Sequence, residues 1–87
     1  MEMFVMKKTE LPALLLQCLT ELGGEADIVT VCKYFWKHYE VELQKSGDLL
    51  YTWQYDIRWA ATELRKTGVM LDAKESPKGI WQLKKKF

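Results

Sequence analysis

Residues 52–68 read TWQYDIRWAATELRKTG, and this stretch decides the fold. Its apolar side chains recur at the spacing of a single buried helical stripe. They are Trp53, Ile57, Ala60, Ala61 and Leu64. Two adjacent alanines on this stripe would let a second helix approach closely, because interaxial distance depends on the side chains at the contact. The stretch predicts a helix over residues 52–67 that ends before Gly68, since glycine accepts the left-handed conformation found just after helices.

After this helix the spacing of apolar residues changes from the helical period of 3.6 to the strand period of 2. The alternating positions are Val69, Leu71, Ala73, Trp81 and Leu83. Between the two runs lies the turn-forming stretch KESPKG, residues 74–79. Residues 69–84 therefore predict a two-stranded β-hairpin, which would form a wing beside the helix.

Two more helices are predicted upstream. The first would begin with Thr9 as its N-cap and end at the pair Gly23-Gly24. Asp27 would cap the second helix. The predicted buried stripe of that second helix consists of Ile28, Val31, Cys32, Phe35, Trp36 and Tyr39.

The sequence leaves the secondary structure of two segments unassigned. Glu25 and Ala26 are too short a stretch to assign, and they could form a brief strand. Residues 40–51 alternate weakly and then break at SGD, residues 46–48. This second segment could be a loop, a short strand or a helical turn.

The length of 87 residues favours a single domain over residues 1–87, with a core at about 9–84. Hydrophobic residues make up 48% of the chain, a composition typical of folded proteins. The predicted fold is mainly α with a small β-hairpin. It is a winged helix-turn-helix of three helices plus a two-stranded wing, with a third short strand as an open alternative.

Charge is distributed unevenly along the chain, although its net value is only +1. Residues 1–50 contain five Lys and eight Asp or Glu, a balance of −3. Residues 51–87 contain eight Lys or Arg and four Asp or Glu, a balance of +4. A basic second half suggests one positive face on an otherwise balanced domain.

Three motifs in order narrow the assignment. They are LGGEA at residues 22–26, WAATELRKTG at residues 59–68 and GIWQL at residues 79–83. Together they resemble the N-terminal domain of Mrr-type restriction endonucleases, over roughly residues 11–83. The resemblance implies a winged helix that binds double-stranded DNA for a separate nuclease domain, and so a link to a restriction system.

In such a fold the helix over residues 52–67 would be the recognition helix in the major groove, with the wing on the DNA backbone. Gln54 could pair with adenine and Arg58 with guanine. Tyr55 and Thr62 lie on the same outward face, and lysines of the wing could reach phosphates. The expected DNA-contacting residues are Thr52, Gln54, Tyr55, Arg58, Thr62, Arg65, Lys74, Lys78 and Lys84.

The alternative function is protein–protein interaction or homodimerisation without DNA binding, because fold does not determine function. Trp59 lies off the apolar stripe of its helix. We expect it to pack against the wing near Trp81; the alternative is a stacking or partner-docking site.

The sequence offers little for other function classes. It contains no nucleophile–base set and no glycine-rich phosphate loop, so neither an enzyme nor a cofactor or small-molecule substrate is expected. The spacing of His38, Cys18 and Cys32 does not suit a zinc site, and both cysteines should be buried thiols. With no long apolar run, we expect a cytoplasmic protein that does not contact membranes.

Overall fold

A computed structural model describes residues 5–84 of the chain. It is mainly helical, with a small antiparallel sheet. In chain order the elements are a 3₁₀ turn (Lys8–Glu10), α1 (Leu11–Glu21), β1 (Glu25–Asp27), α2 (Ile28–Gln44), α3 (Leu49–Lys66) and β2 (Ile80–Gln82). The most extensive contact between helices joins α1 to α3.

The start of the chain differs from the prediction. Thr9 does not cap α1, because residues 8–10 form a 3₁₀ turn whose entry is closed by a hydrogen bond from the Lys7 amide to the Glu10 carboxylate, 2.9 Å. Met6 is also fully buried, and its amide donates to the Ser46 hydroxyl at 2.8 Å. The core therefore begins before residue 9.

Helices α1 and α3 end in the same way. In each, a glycine with positive φ follows the last turn: Gly23 at 93° and Gly68 at 80°. After α3, the amide of Gly68 donates to the Arg65 carbonyl and the amide of Val69 to the Leu64 carbonyl. This pair of bonds is the Schellman motif, which satisfies carbonyls that a helix end would otherwise expose. The predicted stops at both glycine positions are confirmed.

Helix α2 begins where the sequence predicts. The carboxylate of Asp27 accepts from the Thr30 amide at 3.1 Å, which confirms the cap. This interaction lowers the pKa of Asp27, because the ionised form accepts hydrogen bonds from the hydroxyl and the amide of Thr30.

The open segment 40–51 is mostly helical. Helix α2 continues to Gln44, a turn occupies residues 45–48, and α3 starts at Leu49 rather than at residue 52. The reason lies in packing: Leu43 and Leu49 are both buried, so each helix extends far enough to place a leucine in the core. Gly47, with φ of 62°, allows the tight reversal between them.

The predicted hairpin over residues 69–84 forms only at its base. Met70 and Leu83 make an isolated antiparallel bridge, flanked by hydrogen bonds from the Leu71 amide to the Gln82 carbonyl and from the Lys84 amide to the Val69 carbonyl, and residues 69–79 form no strand. Turns fill the following stretch, where the amides of Glu75 and Ser76 both donate to the Asp72 carbonyl. Those backbone groups are consequently not available for a ladder.

Strand β2 pairs instead with β1, which confirms the brief strand left open at residues 25–26. The pairing is antiparallel, with Ala26 opposite Trp81. Trp81 is only 3% exposed and anchors the sheet to the helical core.

All helices contribute to one core. The predicted stripe of α3 is buried as expected, and Leu49 and Asp56 join it. In α2, the Phe35 ring stacks on Trp53 with centroids 5.4 Å apart. Cys18 is buried as predicted, whereas Cys32 is only half-buried.

We expect Gly68→Ala to destabilise the domain by about 1–2 kcal/mol, because an L side chain is strained at positive φ. A Cβ at this position would meet no atom within 4 Å, so the cost is purely conformational. Urea unfolding should show a lower midpoint at unchanged slope. Gly68→Asn should lower the free energy of unfolding less than Gly68→Ala, because Asn adopts this conformation more readily. Equal losses of stability in both variants would contradict the explanation.

Trp81→Ala should lower the free energy of unfolding by about 3–5 kcal/mol, the usual cost of removing a buried large aromatic side chain. Tyr51→Ala is the matched control, because Tyr51 is 84% exposed. Its effect should stay within about 0.5 kcal/mol. Thermal and urea unfolding measure both, and a comparable loss in the control would argue against the anchoring role of Trp81.

Candidate functional site

The exposed side of α3 carries four of the predicted site residues. Gln54, Tyr55, Arg58 and Thr62 are all exposed, and Tyr55 is 77% accessible. The Thr62 hydroxyl donates to the Arg58 carbonyl at 3.2 Å, one turn back along the helix. Because the opposite side of α3 is buried in the core, the backbone under these side chains is held rigidly.

Gln54 and Arg58 also border a cavity of about 550 Å³ between α2 and α3, which we call the α2–α3 groove. The floor of this groove is apolar and consists of Ile28, Cys32, Trp36, Leu50 and Trp53. Its rim consists of Val29, Lys33, Gln54 and Arg58. No local pattern in the sequence predicts this groove, because its lining comes from two helices.

A second depression lies at the end of α3, and we call it the basic cleft. It is lined by Thr62, Arg65, Lys66, Asp72, Ala73 and Lys74. Three cationic side chains thus share this surface with a single carboxylate, although Lys66 also pairs with Glu63 at 3.2 Å. Two predicted residues from α3 and one from the following loop come together here.

Arg65 links helix and loop. Its Nε donates to the Leu71 carbonyl at 3.2 Å, and the side chain is partly buried. This bond uses one of the five N–H donors of a guanidinium. Arg65 therefore positions residues 71–74 relative to α3, in addition to bringing a charge to the basic cleft.

Two predicted site residues, Thr52 and Lys84, border none of these depressions, and a third, Lys78, lies outside the α2–α3 groove and the basic cleft. The Thr52 hydroxyl donates to Asp56 at 2.7 Å, and Asp56 also meets Lys8 at 3.9 Å, so Thr52 belongs to the edge of α3 that faces the N-terminal segment. Lys78 lines a separate depression beside Trp81, and Arg65 lines that depression too. Lys84 is exposed and borders neither the α2–α3 groove nor the basic cleft.

Trp59 is half-buried against the core, but its observed partner differs from the expected one. The Lys8 ammonium lies 4.7 Å from the centroid of its ring. This cation–π contact ties the N-terminal segment to α3. The 3₁₀ turn that provides Lys8 could not be inferred from periodicity, so the contact was not predictable.

The two thiols are poorly suited to nucleophilic chemistry. Burial raises the pKa of Cys18 to about 12, with a smaller contribution from the negative charge of Glu21. Burial also raises the pKa of Cys32, against an opposing effect of Arg58. Both cysteines are therefore protonated at neutral pH, and the reactive thiolate form is disfavoured.

Within residues 5–84, no three His, Cys, Asp or Glu side chains are grouped so that they could hold a metal ion. In the same part of the chain, none of the helices has the length and apolar character required to cross a bilayer.

No protein-family model, no curated protein and no solved structure matches this chain.

Proposed function

We propose that this chain is a winged-helix module that binds double-stranded DNA through the exposed side of α3. One observation carries the proposal: Arg58, Thr62 and Arg65 follow one another along α3, and the row ends in the basic cleft beside Lys74. Positive side chains aligned along one helix and its neighbouring loop fit the regular phosphate charges of a duplex.

The arrangement of the strands supports the winged-helix assignment. Leu83 donates from its amide to the Gly24 carbonyl on one side, while Gln82 accepts from the Leu71 amide on the other. Successive residues of a strand direct their backbone groups to opposite sides. Residues 82–84 therefore lie between the segment of β1 and residues 69–71, as the last strand does in a minimal three-stranded wing.

In this proposal α3 enters the major groove, which is wide enough for a helix. Gln54 and Arg58 lie one turn apart on its exposed side and contact base edges, with adenine and guanine as the matching partners. Tyr55, beside them, adds apolar contact. The resemblance of residues 22–26, 59–68 and 79–83 to Mrr-type endonucleases suggests that the module serves a restriction system.

Arg65 and Lys74 contact phosphates in the same proposal, and Lys78 follows on the wing side. Such contacts position the protein without reading sequence. Thr52 and Lys84 are left out of the interface, because neither lines the α2–α3 groove or the basic cleft.

Fluorescence anisotropy with a labelled duplex tests the proposal. With phosphate contacts from Arg65, Lys74 and Lys78, the slope of log K against log salt should be roughly −2.7, and affinity should fall about 40-fold between about 50 and 200 mM salt. Binding that does not respond to salt, or no binding at low salt, would refute the DNA-binding function.

Single charge removals locate the interface. Lys74→Gln should reduce the salt slope by about 1, because one phosphate contact and its released counterion are lost. Lys45→Gln is the matched control: Lys45 is also exposed but lines neither the α2–α3 groove nor the basic cleft. If Lys45→Gln changed the slope as much as Lys74→Gln, the basic cleft would not be the binding surface.

A second candidate function is protein interaction or dimerisation. The observation in its favour is a pair of exposed aromatic residues one turn apart on α3, Tyr51 at 84% and Tyr55 at 77% accessibility. Exposed tyrosines are enriched where partners bind. Sedimentation at two concentrations distinguishes this function, since a dimer that Tyr51→Ser dissolves would favour it.

A further inference from the structure

We propose that the α2–α3 groove is a binding site for a small aromatic carboxylate, with the ring on the apolar floor and the carboxylate between Lys33 and Arg58. The occupant is a small molecule rather than a peptide. Its binding stands independently of the proposed DNA-binding function.

The floor of the groove matches a flat apolar ring. Trp36 and Trp53 line it with their ring planes 13° apart and centroids at 6.0 Å, and Ile28, Cys32 and Leu50 complete it. Its volume of about 550 Å³ lies in the range of small-molecule sites, which are mostly apolar with a few placed polar groups. Aromatic rings prefer such offset-stacked surroundings.

The rim determines the charge of the ligand. Among the residues that the structure describes, Lys33 and Arg58 are the only charged ones that line the groove, and both are positive. Among residues 5–84, the two ion pairs join Lys8 to Asp56 and Lys66 to Glu63, so neither rim cation has a carboxylate within 4.0 Å there. An anion would complement this rim, whereas an amine would be repelled by it.

A carboxylate suits this rim, because its two oxygens can be matched by the two rim cations. The apolar floor offers no polar group to a larger anionic head. The planar guanidinium of Arg58 matches a carboxylate with two parallel hydrogen bonds, and the Gln54 amide on the same rim is a further donor.

The site overlaps the proposed DNA-reading residues, because Gln54 and Arg58 belong to both. A bound carboxylate would occupy the guanidinium that otherwise faces guanine. Ligand and DNA should therefore compete, and this coupling alone rests on the proposed function.

The test is a titration of the full chain with indole-3-acetate, followed by two-dimensional NMR of the tryptophan indole N–H groups. Trp36 and Trp53 line the groove and report on binding. Trp59 and Trp81 do not line it and serve as internal controls. We expect the first two resonances to move in a saturable way and the last two to stay. A ligand of this size should bind with a Kd of about 1 mM.

Two matched pairs test the recognition chemistry. Indole-3-acetamide has the same ring and shape without the charge, and it should bind at least about tenfold more weakly. Lys33→Gln should weaken indole-3-acetate binding about threefold, as expected for loss of one exposed ion pair. Lys37→Gln removes the same charge one turn further along α2, outside the groove, and should leave the Kd unchanged.

Several outcomes would overturn the inference. They are the absence of saturable shifts at Trp36 and Trp53, equal movement of all four indoles, or equal affinity for the acid and the amide. If indole-3-acetate binds as expected but the chain fails to bind duplex DNA at low salt, the site stands and the proposed function fails. If both ligands bind without competing, the overlap at Arg58 is refuted.

Discussion

The packing of α1 against α3 is the constraint on which the rest of this structure depends. The buried stripe of α3 contains the small residues Ala60 and Ala61, which are almost completely inaccessible, and small side chains let helices pack closely. Leu15 and Leu19 of α1 are fully buried as well. Close packing of one helix on another gains dispersion and removes apolar surface from water, which a chain of 87 residues needs because its core is thin.

The sheet follows from where these two helices end. Gly23 and Gly68 end α1 and α3 with the same motif. The residues that follow each glycine form backbone hydrogen bonds with β2 or the residues directly after it. The amide of Leu83 then donates to the Gly24 carbonyl, and that of Lys84 to the Val69 carbonyl. The three short segments 24–27, 69–71 and 80–84 therefore meet because two of them directly follow helix ends. The buried Trp81 attaches them to the core.

Helix α3 packs in the core with one side and carries the proposed DNA-binding residues on the opposite side. Burial of Trp53, Ile57 and Leu64 fixes α3 in place, which leaves Arg58 and Thr62 on a rigid exposed surface. A site on a packed helix is held more precisely than a site on a loop. The α2–α3 groove lies between the two helices that the turn at residues 45–48 connects, and Trp36 and Trp53 lie at its floor.

The sequence by itself determined the buried stripe of α3, the glycine stops and the Asp27 cap, because each depends on residues within a few positions of one another. It also indicated the exposed residues of α3. Only the tertiary structure decided that β2 pairs with residues 25–27, that α2 reaches Gln44, and that Lys33 and Arg58 share the rim of one groove. These features join residues far apart in the chain, and periodicity carries no information about which distant segment a strand or helix will meet.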